Sequence, residues 1–145
     1  LSVLAPEFLA LVPGFFSNDA EDSVRSLSSL LRMCFAQPPA ASDLYTMLGY
    51  NLAVPPFVRQ ALFSRAFDND DLLPTIRTPV LITHGAADTI VRLSVVEQHR
   101  RAITHPQVDI MPGAGHAPFW DDATSFNRRL AAFCDEVAFG ELARA

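Results

Sequence analysis

The sequence predicts an α/β protein in which strand–helix units are separated by a long helical insertion. Residues 75–145 alternate apolar strand-like runs with amphipathic helical runs, a pattern typical of βαβ units and a parallel sheet. A short continuous apolar run, residues 8–12, precedes the insertion, and four helix-like pieces then follow one another without a strand. We therefore expect a parallel sheet interrupted by a largely helical region at residues 15–74.

The first segment predicts one core strand. Residues 8–12 read Phe-Leu-Ala-Leu-Val and are closed by Pro13 and Gly14, and a run of this length suits a strand buried on both faces. Residues 1–7, which precede it without an initiator Met, read as the tail of a helix. We assign residues 1–14 to the end of a helix and one strand of the sheet.

The insertion predicts a series of helices separated by proline. The first covers residues 22–36, where apolar side chains recur at helical spacing, and Pro38 and Pro39 end it. The start signals of the insertion are the capping-box pair Asn18 and Glu21, the cap Ser42, the pair Pro55 and Pro56, and residues 69–71.

The remaining residues predict two further strands and two helices. Residues 80–83 and 108–111 are the strands, residues 93–103 form a helix between them, and Asp121 or Asp122 caps the last helix. Three strands make a poor independent sheet, because one edge and part of a face would be bare. We therefore expect a larger fold whose missing part lies on the N-terminal side.

Composition argues against several kinds of partner. The net charge is −5 and the sequence pI is near 5.2, so neither nucleic acid nor an anionic membrane is expected. No apolar run approaches the ~18 residues that span a bilayer. The sequence shows no spacing typical of a metal site, and Cys34 and Cys134 are expected to be buried free thiols. The compartment stays open, with the cytoplasm favoured.

Two ionisable residues stand out because each follows a predicted strand. Asp88 and His116 both lie five residues beyond a strand end, in loops that contain Gly85, Gly113 and Gly115. Loops at the carboxyl ends of parallel strands converge, so the two side chains are expected to meet there. A neutral histidine that acts as a base needs an acceptor on Nδ1, which Asp88 can supply. A turn aspartate and a structural histidine are the alternatives.

The other three histidines are not expected to take part in catalysis. His84 lies at a strand end and is expected to be a structural neighbour of the site. His99 and His105 fall in or after a helix on the outside of the sheet, where a solvated role is favoured.

The motif residues resemble those of the α/β-hydrolase superfamily, especially its esterase and haloperoxidase-like branch with a helical cap. The match runs from Thr78-Pro79-Val80-Leu81-Ile82 into His84-Gly85-x-x-Asp88, and again over Gly113-x-Gly115-His116-Ala117-Pro118-Phe119-Trp120. The order of acid before histidine also fits that fold. The resemblance implies the C-terminal part of an α/β-hydrolase parallel sheet with a helical cap insertion at residues 15–74. Asp88 would be the triad acid and His116 the base, and residues 1–7 would end the helix after the nucleophile.

The sequence departs from that family at the nucleophile. No Gly-x-Ser-x-Gly elbow occurs, and the oxyanion-hole loop of an earlier strand is missing too. We expect both to come from an N-terminal half of the same hydrolase fold. The implied function is hydrolysis of a small, apolar, ester-like substrate, without metal or organic cofactor. The expected substrate pocket is lined by Phe119, Trp120, Ile90 and Val91. Packing of Phe119 and Trp120 against the last helix, and of Ile90 and Val91 on the imidazole, are the alternatives.

Three alternatives remain open at this stage. An aspartate nucleophile would give an epoxide hydrolase or a haloalkane dehalogenase, which work through an alkyl-enzyme ester. A perhydrolase or a carbon–carbon hydrolase would use the same acid and base. A relative without catalytic activity would keep the pocket only to bind a ligand.

Overall fold

The computed structural model describes residues 3–66 and 70–142, with side chains as far as residue 140. Helices dominate the first half and a small parallel sheet lies in the second. The elements are α1 Pro6–Phe15, α2 Ala20–Met33, α3 Ala41–Ala53, α4 Pro56–Phe63, a 3-10 turn at Leu73–Thr75, β1 Leu81–Gly85, α5 Ser94–Ala102, β2 Gln107–Met111, α6 Pro118–Asp121 and α7 Ala123–Leu142.

The sheet places two loops side by side. Strands β1 and β2 are parallel and in register from Leu81 opposite Gln107 to Gly85 opposite Met111. Helix α5 connects them, as expected for a βαβ unit. The two predicted strands and the helix between them are confirmed, with boundaries that shift by one or two residues. Because Gly85 and Met111 end their strands as partners, the loops that follow start from the same edge.

The predicted strand at residues 8–12 is wrong. These residues lie in α1, whose first position is Pro6 and whose buried residues are Phe8 and Phe15. Five consecutive apolar residues cannot distinguish a buried strand from a buried helix, and Pro13 and Gly14, which suggested an end, lie inside the helix. Gly14 permits close packing of α1 on α2, because a Cβ there would overlap the side chain of Ser26.

The helix tail predicted for residues 1–7 is also wrong over the described residues. Leu4 forms an isolated antiparallel bridge with Val91, and the N–H of Ala5 donates to the carbonyl of Ile90 at 2.8 Å. This extended stretch ends where Pro6 fixes the first turn of α1. Leu1 and Ser2 lie outside the described residues. The division of the chain at residues 14 and 74 stays a prediction, although α1 packs with the helices that follow it.

The other predicted helices are found, with different caps. Asp19, rather than Asn18, caps α2 by accepting the N–H of Asp22 at 2.9 Å. Helix α3 begins at Ala41, so Ser42 lies inside it, whereas Pro56 starts α4 as expected. The fourth piece is only the 3-10 turn at Leu73–Thr75, and Asn69 lies outside the described residues.

One of the two residues predicted to cap the last helix is confirmed. Asp122 accepts the N–H of Ser125 at 3.0 Å at the start of α7. The short helix α6 was not predicted. In the part of the chain that the structure describes, no helix is both long and apolar enough to cross a bilayer.

The apolar core joins the helical layer to the loop that follows β1. Phe8, Phe15, Leu27 and Ile90 form one buried cluster, and the rings of Phe8 and Phe15 lie 5.9 Å apart. Ile90 belongs to the loop after β1, whereas the other three belong to α1 and α2. Burial of Ile90 therefore fixes the position of that loop relative to the helices.

Arg59 on α4 ties together the ends of two other helices. Its Nε donates to the carbonyl of Phe15 at 2.6 Å, and its Nη1 donates to the carbonyls of Asn51 and Val54 at 3.0 and 2.5 Å. These carbonyls lie at the C-terminal ends of α1 and α3, where a cation also interacts favourably with the helix dipole.

We expect Arg59→Ala to lower the free energy of unfolding by about 2–3 kcal/mol, because it leaves half-buried carbonyls without donors. Urea unfolding followed by circular dichroism measures the change. Arg25→Ala is the control, since Arg25 makes only exposed ion pairs on α2 and should cost under about 1 kcal/mol. Equal losses in the two variants would contradict this role of Arg59.

Candidate active site

The side chain of Asp88 is the centre of the candidate site. It lies in the loop after β1, residues 86–92, which we call the acid loop. Oδ1 accepts the N–H groups of Ile90 and Val91 at 2.8 and 2.9 Å, an arrangement that closes a tight turn. Oδ2 lies 2.9 Å from Nδ1 of His116, and the side chain of Asp88 is only 3% exposed. One oxygen shapes the loop, and the other faces the histidine.

His116 approaches Asp88 from the loop after β2, residues 112–117, which we call the histidine loop. The ring is 40% exposed on the side away from Asp88. An ionised carboxylate can only accept hydrogen bonds, so Nδ1 carries the proton and Nε2 keeps its lone pair. The expected meeting of Asp88 and His116 is confirmed, and the arrangement can accept a proton at Nε2.

Close contact between the two loops depends on glycine for a steric reason. A Cβ on Gly85 would overlap the carbonyl oxygens of Ala114 and Gly115. The N–H of Ala87 donates to the carbonyl of Ala114 at 2.9 Å, which holds the loops together. Among the described residues no glycine has a positive φ, and Gly113 has open space around it. Gly85 is therefore needed for space and not for an unusual backbone conformation.

A second imidazole lies beside the same carboxylate. Nε2 of His84 is 3.2 Å from the carbonyl oxygen of Val91 and 3.6 Å from Oδ2 of Asp88. Because a carbonyl accepts, Nε2 carries the proton and donates to Val91. The ring is 12% exposed, so it is packed against the acid loop and has little access to solvent. His84 is a structural neighbour of the site, as the sequence predicted.

The end of α2 fastens the helical region to both loops through backbone atoms. We call residues 33–36 the cap segment. The hydroxyl of Thr89 in the acid loop donates to the carbonyl of Met33 at 3.2 Å. In the histidine loop, the N–H of Ala117 donates to the carbonyl of Cys34 at 2.9 Å. The periodicity of the sequence gave no signal for these bonds, because their acceptors are backbone carbonyls, which every residue type has, and their partners are distant in the chain.

Asp121, which the sequence predicted only as a possible helix cap, joins the cap segment to the histidine loop. Its carboxylate accepts the N–H of Gly115 at 2.7 Å and the N–H of Ala36 at 3.0 Å. Ala36 and Asp121 are 85 positions apart, so local spacing could not have revealed the contact.

The four expected pocket residues lie in different settings. Trp120 is 46% exposed and its ring lies 5.8 Å from that of Phe35, whereas Phe119 is 57% exposed and contacts Phe126 of α7 at 6.1 Å. Ile90 is 4% exposed within the core cluster, and Val91 packs against that cluster. A pocket wall formed by these residues stays a prediction.

Cys34 is near the site but has the properties of an unreactive thiol. Burial raises the pKa of the Cys34 thiol to about 11, and the negative charge of Asp88 adds to the rise. Because the thiolate is the nucleophilic form, this environment disfavours attack by sulfur at neutral pH. Cys34 and Cys134 are free thiols, as expected, but Cys34 is only partly buried and Cys134 is exposed. In residues 3–66 and 70–142, no cluster of three or more His, Cys, Asp or Glu is placed to hold a metal ion.

The chain is similar to several known proteins. A crystal structure of an esterase from Rhodococcus sp. ECU1013 superposes with a TM-score of 0.85 and 30% identity, over 92% of this chain and 49% of the esterase. A pimeloyl-[acyl-carrier protein] methyl ester esterase from Vibrio atlanticus is 28% identical over 54% of this chain and 37% of its own length. A Synechocystis protein with the provisional name non-heme chloroperoxidase is 40% identical over 46% of this chain and 24% of its own length.

The chain corresponds to only part of each of these proteins. The chain spans about half the length of the solved esterase and a smaller share of the two curated relatives. No family model matches the sequence.

We expect Gly85→Ala to destabilise the protein, because the added methyl group must push the histidine loop away from β1. The loss should be about 1–3 kcal/mol, the range for substitutions that overpack a site and force backbone shifts, and urea unfolding measures it. Gly113→Ala is the matched control, since a Cβ there meets no atom within 4 Å. If Gly85→Ala unfolds at the same urea concentration as Gly113→Ala, the close contact of the loops is not required.

The two cysteines should differ in reactivity. At pH 8 a thiol-specific disulfide reagent should modify Cys134 rapidly and Cys34 only after unfolding, because the raised pKa keeps the Cys34 thiol protonated. Absorbance of the released thiolate counts the reactive groups. The variant Cys134→Ser should show no fast-reacting thiol in the folded protein, and a fast phase in that variant would contradict the expectation.

Proposed function

We propose that this chain, which belongs to the α/β-hydrolase superfamily, supplies the acid and the general base of a hydrolase for small, apolar, ester-like substrates. The observation that carries the proposal is the 2.9 Å contact between Nδ1 of His116 and Oδ2 of Asp88, two residues delivered by the ends of neighbouring parallel strands. Nucleophilic hydrolases that work through an acid–histidine pair use this arrangement.

In the proposed reaction, a serine from the upstream half of the fold attacks the ester carbonyl. Nε2 of His116 accepts the serine proton as the new C–O bond forms, and backbone N–H groups of the upstream half stabilise the oxyanion. Collapse of the tetrahedral intermediate breaks the bond to the alcohol, which leaves with the proton from His116. Water then gives its proton to His116 and attacks the acyl-enzyme, so the carboxylic acid is released and the serine recovers its proton.

Asp88 orients the imidazole and stabilises its cationic form. Its other oxygen is already held by the N–H groups of Ile90 and Val91, so the carboxylate cannot turn away from His116 without breaking two hydrogen bonds. Low exposure reduces screening by solvent, which strengthens the attraction between Asp88 and the imidazolium that forms during the reaction. His116 is thereby fixed before the substrate arrives.

An apolar substrate is supported by the residues that follow the base. The exposed rings of Phe119 and Trp120 come three and four positions after His116, and Phe35 of the cap segment lies against Trp120. Aromatic surface beside a catalytic group favours an apolar acyl or alcohol part. Similarity to esterases favours an ester over an epoxide or a haloalkane.

The partner required by this proposal is the N-terminal half of the same fold. It would carry the nucleophile and the oxyanion hole, because the sequence contains no nucleophile elbow. No metal or organic cofactor takes part in the proposed steps. The residue at the centre of the elbow separates the alternatives, since serine would support ester hydrolysis and aspartate would support an alkyl-enzyme route.

We expect His116→Ala and Asp88→Asn, tested with the upstream half present, each to lower kcat for short-chain p-nitrophenyl esters by about 10⁴-fold. The first variant removes the proton acceptor, and the second favours the wrong tautomer of His116. Release of p-nitrophenol measures the rate, and substrate dependence separates kcat from KM.

His105→Asn is the control for loss of an imidazole. His105 is exposed and has a φ of 53°, a conformation that asparagine tolerates, so this variant should keep the original rate. Hydrolysis by His116→Ala at the rate of the unmodified protein would refute the assignment.

A further inference from the structure

The carboxylate of Asp121 lies between the cap segment and the histidine loop. Oδ2 accepts the N–H of Gly115 at 2.7 Å, and the N–H of Ala36 lies 3.1 and 3.0 Å from Oδ1 and Oδ2. Gly115 directly precedes His116, and Ala36 follows α2. One carboxylate therefore connects the residue before the base to the helical cap.

A second bond holds the other side of His116. The N–H of Ala117 donates to the carbonyl of Cys34 at 2.9 Å, so the residues before and after the base are both tied to the cap segment. The backbones are close together here, because a Cβ on Gly115 would lie 2.9 Å from the nitrogen of Ala36 and 3.1 Å from the carbonyl carbon of Phe35. The histidine loop, which carries the base, is therefore held in place by the cap segment.

The hydrogen bonds of Asp121 point to positioning rather than to charge neutralisation. Both of its partners are backbone N–H groups, and no ion pair joins it to a basic side chain in the described part of the chain. Bonds from N–H groups to a carboxylate are short and stronger than neutral ones. Removing the carboxylate would leave two N–H groups without their acceptor and would remove the connection on one side of His116, while the bond from Ala117 to Cys34 stays.

We propose that Asp121 is a positioning residue that holds His116 in a fixed position relative to the helical cap. The distance and orientation between the base and the cap then stay constant. The expected effect of Asp121 on kcat rests on the proposed function. Among the described residues, no hydrogen bond joins Asp121 to the imidazole of His116. Its loss should therefore change the orientation of the base, which governs kcat, more than the binding surface, which governs KM.

The test compares Asp121→Ala and Asp121→Asn with Asp122→Ala in the protein with its upstream half present. Asp122 is a matched control, because its carboxylate caps α7 through the N–H of Ser125. The first readout is the NMR signal of the Nδ1 proton of His116, which reports the bond to Asp88. The second is kcat and KM for a short-chain p-nitrophenyl ester.

Asp121→Ala should broaden or abolish the Nδ1 proton signal and lower kcat by about 10- to 100-fold, with KM changed less than about threefold. Asp121→Asn should show a smaller effect, since its amide oxygen still accepts one bond. Asp122→Ala should keep the signal and kcat. If Asp121→Ala fails to fold, as judged by circular dichroism, Asp121→Asn decides the question by the same two readouts.

An unchanged Nδ1 signal together with an unchanged kcat in the folded Asp121 variants would overturn the positioning role. A different outcome would contradict the proposed function. The unmodified protein would then hydrolyse no ester, or His116→Ala would hydrolyse it at the original rate. The NMR comparison would still decide whether Asp121 fixes the ring of His116.

Discussion

The buried carboxylate of Asp88 constrains the rest of the described structure. A charge with so little exposure needs hydrogen-bond donors around it, since desolvation without them would cost several kcal/mol. Two donors come from the N–H groups of its own loop, and a third comes from His116 of the neighbouring loop. The requirement for donors therefore fixes the shape of the acid loop and brings the histidine loop to it.

The acid loop also joins the sheet to the helical cap. Beyond Asp88, Ile90 enters the apolar core beside Phe8, and its carbonyl accepts the N–H of Ala5 just before α1 begins. Together with the bonds from Thr89 and Ala117 to the cap segment, these contacts place the helices over the ends of both strands. The cap and the candidate site are consequently parts of one packed unit. A substitution in either part is expected to affect the structure of the other.

The sequence could predict the elements with strong local signals. Strands β1 and β2 are apolar runs that lead into glycine-containing loops, and Asp88 and His116 lie in those loops, so their meeting follows from parallel pairing. Helix α1 could not be predicted in this way, because its apolar run is as short as a strand and contains Pro13 and Gly14. The length of the run left helix and strand equally possible, and packing against α2 decided between them.

By itself, the sequence determined the βαβ order, the acid and histidine at adjacent strand ends, and the absence of a nucleophile elbow, since these depend on residues close together in the chain. Only the tertiary structure decided that Asp121 connects Gly115 to Ala36, that Ile90 lies in the core, and that glycine at position 85 is needed for space. The physical reason is that these contacts join segments that are distant in the chain, and packing decides which segments meet. The groups that Asp121 and Gly85 meet are backbone atoms, which are the same in every residue type, so the sequence carries no local record of these contacts.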